Sequence, residues 1–172
     1  MTLDPAATLE PTSTRLWKRL SPADRRTAAE AFFAESSQEL LGAALGAIVK
    51  ARHLRPQAAR ALPSEEQAQI LSGVLDPGES VASALLVAIH LAARRPLLVA
   101  FLDSVGLPHE NGILKEEADA AGPLDEEKAR AAVLALRSEF PLEEVRTYLN
   151  TLFLQDPDRW QVLEKSPQWL AS

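Results

Sequence analysis

Helix-start signals recur along most of this chain, and they constrain its fold more than any other feature. Ser21-Pro22 sets a hydroxyl before a proline, Ser36 or Ser37 heads an apolar run, and Pro56 and Pro96 each follow an arginine. Ser64-Glu65-Glu66, Asp125-Glu126-Glu127 and Pro141-Leu142-Glu143-Glu144 put an opening residue before an acidic first turn. A capping oxygen satisfies an N–H left open at a helix start, and proline fits the first helical position because it has no N–H to lose. Acidic residues in the first turn are stabilised by the helix dipole. The stretches between signals are the length of single helices, so the chain reads as about nine of them.

Composition agrees. Leucine and alanine supply 57 of the 172 residues, valine and isoleucine only 13. Alanine and leucine lose little on entering a helix, whereas β-branched residues lose rotamer freedom there. The fold class expected is all-α. Residues 1–11, with two prolines and no helical period, read as a flexible tail, and residues 12–172 as one domain.

The punctuation also suggests an internal repeat. Residues 64–102 lie on residues 125–163 without a gap, and Glu65/Glu126, Leu75/Leu136, Leu91/Leu152 and Pro96/Pro157 are among the coincidences. Residues 21–62 follow the same plan, with Pro56 in the proline position. Three degenerate units are therefore expected, over 21–62, 64–105 and 125–165, each a helix pair plus a short helix opened by proline. The last two flank an insert loop at 106–123. Such units bury their apolar faces by stacking, giving a short α-solenoid-like stack; an irregular helical bundle is the alternative. A period of roughly 40 residues lies within the range of tetratricopeptide and HEAT-type repeats, but the tetratricopeptide consensus residues are absent.

Many chemistries are excluded by inspection. Without cysteine there is no disulfide, thiol nucleophile or cysteine-bound metal. No phosphate-binding glycine loop, dinucleotide fingerprint, serine-nucleophile elbow or calcium loop is present. No cofactor and no metal are expected. The net charge of −6 and the lack of aromatic residues among the basic ones make a nucleic-acid partner a poor expectation. The apolar runs 40–49 and 81–93 are shorter than the roughly 20 residues that span a bilayer, and no basic start precedes an apolar stretch. A cytoplasmic protein with no membrane contact is expected.

Candidate binding residues come from two places. In the apolar segment 79–94, helical spacing puts Ser80, Ser83, Val87, His90 and Arg94 on one polar stripe. Under the repeat, Lys50, Tyr148 and Thr151 fall at matching positions. If the units stack, Lys50, His90, Arg94, Tyr148 and Thr151 line a common binding surface. In the insert, His109-Glu110 pairs a histidine with a carboxylate, the groups of acid–base work, although neighbours in sequence seldom point the same way. Gly42-x-x-x-Gly46 has small residues that permit close approach of another helix, and it reads as internal packing. Trp17, Trp160 and Trp169, near the chain ends, are expected to cap a stack. Arg15, Lys18, Arg19, Arg25 and Arg26 form a basic cluster.

Residues 1–62 carry nine basic and six acidic side chains, a net of +3; residues 63–172 carry nine and eighteen, a net of −9. Head-to-tail association into a homo-oligomer could use that asymmetry. The function expected is a non-enzymatic helical interaction or scaffold module that binds a protein or peptide. The alternative is a small-molecule-binding or hydrolytic helical protein using His90 or His109 with Glu110.

Overall fold

The computed structural model describes residues 9–171 and is an all-α helical bundle. Two compact units make it up, one from residues 12–93 and one from residues 9–11 together with 94–171. The boundary between them falls after Ala93, inside residues 64–105.

The first unit holds α1 (Ser13–Arg19), α2 (Pro22–Glu35), α3 (Gln38–Arg52), α4 (Pro56–Ala61), α5 (Ser64–Ser72) and α6 (Glu79–Ala93). Their starts follow the sequence signals. Ser21 Oγ accepts from the Asp24 N–H, and Ser37 Oγ from the Leu40 N–H. The start of α1 has two acceptors. Thr12 Oγ1 takes the Arg15 N–H, while the Glu79 carboxylate takes the N–H groups of Ser13 and Thr14 and the Thr14 hydroxyl, at 2.8–3.0 Å. Trp17, Phe32, Leu71, Leu85 and Ile89 are buried, with α2 lying against α5 and α6, and α1 against α6.

Arg25 is built into this unit. Its guanidinium donates to the carbonyls of Leu20 at 2.7 Å and Ser72 at 3.0 Å, tying down the chain just after α1 and at the end of α5. Arg26 pairs with Glu30. The basic cluster read from the sequence is thus partly consumed by internal bonds. Trp17 is fully buried and its Nε1–H donates to the Val74 carbonyl at 2.8 Å; Trp160 and Trp169 are buried too. All three tryptophans are core residues.

The second unit holds α7 (Arg95–Ser104), α8 (Glu126–Glu139), α9 (Leu142–Gln155) and α10 (Ser166–Ala171). The expected insert loop is not structureless. It folds into a two-stranded hairpin, β1 (His109–Glu110) and β2 (Ile113–Leu114), followed by a 3-10 helix, Glu116–Ala121. Asn111 and Gly112 form its tip with φ of 52° and 89°. Two successive positive φ values make the primed turn that suits hairpin twist, and Asn-Gly is the dipeptide that adopts it most readily. Leu97, Phe101, Val133, Leu136, Leu149 and Trp160 are buried in this unit.

Pro157 departs from expectation. Pro56 and Pro96 sit in the first turns of α4 and α7, but Pro157 lies in a turn, and helix resumes only at the 3-10 helix Gln161–Lys165. A fixed φ suits a turn as well as a helix start, so proline alone does not decide between them. The flexible tail expected at 1–11 falls mostly outside the described residues; within them, the Glu10 N–H donates to Asn150 Oδ1 at 2.8 Å. Among the described residues no single helix is long and apolar enough to cross a membrane.

Candidate functional site

The residues expected on a common binding surface differ in exposure. Lys50 is exposed on α3, in the first unit. His90 is only 2% exposed, and Arg94, Tyr148 and Thr151 are buried as well. Along the polar stripe of α6, Ser80 is exposed and Ser83 and Val87 are half-buried, and only His90, near the end of the helix, is fully buried. In the second unit, Tyr148 meets Phe101 edge-on at 5.6 Å, and Phe101 lies 5.9 Å from Trp160. Burial pushes the Tyr148 hydroxyl well above the usual phenol range. Thr151 Oγ1 donates to the Thr147 carbonyl at 2.7 Å, and Arg94 Nε stands 4.0 Å from Glu144 Oε1. Tyr148 and Thr151 are thus placed by packing and by local bonding.

His109 and Glu110 are also separated. Successive residues of a strand point to opposite faces, and here His109 faces inward while Glu110 is exposed. The carboxylate that His109 meets is Asp103, with Nε2 2.6 Å from Oδ1. Nδ1 accepts the Gly112 N–H at 3.2 Å, so in the neutral ring the proton lies on Nε2 and points at Asp103. Nε2 thus ties the hairpin to the end of α7, while Nδ1 braces the hairpin's own tip. Arg95 strengthens that attachment by donating to the Asn111 carbonyl at 2.6 Å. Sequence reasoning missed Asp103 because six residues and a turn separate it from its partner.

Two concavities flank this insert. One, of about 700 Å³, is lined by Arg95, Glu110, Lys115, Glu116 and Glu117 among others. It is wide open and its charges have mixed sign, so it presents no converging set of groups. The other, of about 240 Å³, is lined in part by Gly106, Leu107, Lys128 and Arg159. Arg159 is held there by Asp119 and Asp156. Among the described residues no three His, Asp or Glu side chains gather as a metal ion would require.

A surface that the sequence assigned to packing is left open. Within α3 only Ala44 and Ile48 are buried. Gly42 and Gly46 lie two residues before them, about 200° round the helix and so on the opposite side. Glu39, Gly42, Ala43, Gly46 and Lys50 are all exposed, and a Cβ added at either glycine would meet nothing within 4 Å. Among the described residues, therefore, no other helix closely approaches α3 at either glycine. Leu41, Leu45 and Val49 are half-buried beside this face. The large apolar residues of α3 are thus buried or half-buried, and its exposed side carries glycine, alanine and charged residues.

Comparison with protein-family models, with curated proteins and with solved structures finds no match to this chain.

Proposed function

We propose that the protein is a non-enzymatic helical interaction module, and that its docking surface is the bare face of α3. One observation carries this reading: a 15-residue helix made mostly of Ala, Leu, Gly, Ile and Val buries only two side chains in its own unit. The exposed side of α3 carries no large side chain between Glu39 and Lys50, so nothing there holds a partner helix away from the backbone. Small residues at Gly42, Ala43 and Gly46 let a second helix approach closely, in the manner of a helix laid into a groove.

The test is a photo-crosslinking residue placed at Gly46 in the full chain, with a control at Ala131, exposed on α8. The expected result is one discrete crosslinked product from position 46 in cells and none from position 131. Absence of any product from position 46, or equal products from both, overturns the reading.

A further inference from the structure

We propose that the partner carries a short acidic segment, which docks on the basic surface made by Lys50, Arg52, Arg55 and Arg60 where α4 packs against α3. This inference rests on the reading of the chain as an interaction module and names the chemistry of its partner.

Net positive charge is confined to one stretch of the chain. Residues 40–64 contain no Asp or Glu and hold four basic side chains, a net of +4, whereas the rest of the chain carries a net of −10. Residues 1–39 have five basic and six acidic side chains, so the positive balance of residues 1–62 arises wholly after Glu39. All four cations are exposed. None of their side chains has an ion-pair or hydrogen-bond partner among the described residues. Only three residues join α3 to α4, and the two helices pack together, so these like charges crowd one another. Helix dipoles favour Lys50, Arg52 and Arg60, each in a last turn, but oppose Arg55 at the N-cap of α4. The dipoles leave unexplained why no acid balances the four, and an anionic partner supplies that balance.

The surroundings favour one kind of anion. No large apolar side chain of residues 40–64 is exposed, so a lipid surface finds nothing there to insert. The stretch has no Phe, Trp or Tyr on which a base could stack. A membrane or a long polyanion also extends past the patch and meets the repulsion of the remaining −10. A short acidic peptide meets the patch alone, because at 0.1 M salt screening confines each charge to about 10 Å. The six residues of α4 span about 9 Å, so a few acidic side chains are enough to cover it. Exposed ion pairs are individually weak, which makes the complex sensitive to salt.

Fluorescence anisotropy of a labelled hexaglutamate peptide, titrated with the full chain, tests the inference. Binding is expected at about 0.1 M salt, and at least about tenfold weaker binding at about 0.5 M. Arg55→Glu combined with Arg60→Gln is expected to weaken it at least about tenfold, with undiminished helical circular dichroism because both side chains are exposed. Lys115→Gln combined with Arg130→Glu makes the same change of net charge at exposed positions of the other unit, and is expected to alter binding by less than about twofold. No binding at 0.1 M salt, or equal losses in the two double variants, overturns the inference. So does tighter binding, at the same salt, to a thymidine hexanucleotide or to phosphatidylserine vesicles. The crosslinking experiment separates the two readings: a product from position 46 without peptide binding leaves the module and removes the acidic partner, while no product from position 46 removes the module.

Discussion

Glu79 shows how much one side chain can do when it serves two helices. It sits in the first turn of α6, where the dipole favours a negative charge, and its carboxylate also closes the start of α1. Partial burial by itself pushes the Glu79 carboxyl up. The hydrogen bonds from Thr14 and Ser13 outweigh that and hold it below its ordinary value of 4.5. A group whose folded pKa is depressed adds stability that is complete above its unfolded pKa and is lost as pH falls through the folded one. Glu79→Gln is therefore expected to lower stability by about 1 kcal/mol at neutral pH, the usual size of a lost cap. The gap between wild type and variant should be constant above about pH 5.5 and close as the pH falls below the carboxylate range. Thermal melts of both proteins across pH 3–7 measure it, and a gap independent of pH would remove the charge from the explanation.

At the scale of elements, two glycines make opposite predictions. Gly112 holds a φ of 89° at the hairpin tip, and a Cβ there would stand 3.0 Å from Leu98 Cβ. Gly42 sits inside α3 with open space around it. Gly112→Ala is expected to destabilise by about 1–3 kcal/mol, through backbone strain and the contact with Leu98. Gly42→Ala is expected to stabilise by about 0.5–1 kcal/mol, by removing backbone freedom from the unfolded chain. Urea unfolding of dilute monomer reads both; equal effects would mean that the hairpin is not seated on α7. These elements also show what a sequence exposes. Ser21, Ser37 and Asp125 announce helix starts because capping is local, needing only the hydroxyl or carboxylate and an N–H three residues on. The Asn111-Gly112 turn is equally local, since two positive φ values at its tip need no partner from elsewhere in the chain. The His109–Asp103 pair, the burial of His90 and the bare side of α3 are not, since each depends on which faces meet after folding. The Gly42–Gly46 spacing revealed a small face but not whether the chain covers it.

For the whole molecule the useful quantity is the distribution of charge rather than its sum. Residues 1–62 carry a net of +3 and residues 63–172 a net of −9, with an isoelectric point near 5.1. Near that pH the net repulsion between molecules vanishes while the two parts of the chain keep opposite signs. Attraction between unlike parts of different molecules then has nothing to oppose it except screening. At low ionic strength the Debye length is about 30 Å, enough for such attraction to act between neighbours; at 0.1 M salt it is about 10 Å, and exposed charges are largely screened. Static light scattering at pH 5 is therefore expected to show association that falls as salt is raised. It is also expected to weaken as the pH rises to 7, where the net charge of −6 keeps molecules apart. Scattering that grows with salt would assign the association to apolar surface instead. In that case Gly46→Leu decides whether the surface is α3: the variant blocks close helix approach, and scattering unchanged by it would place the sticky surface elsewhere.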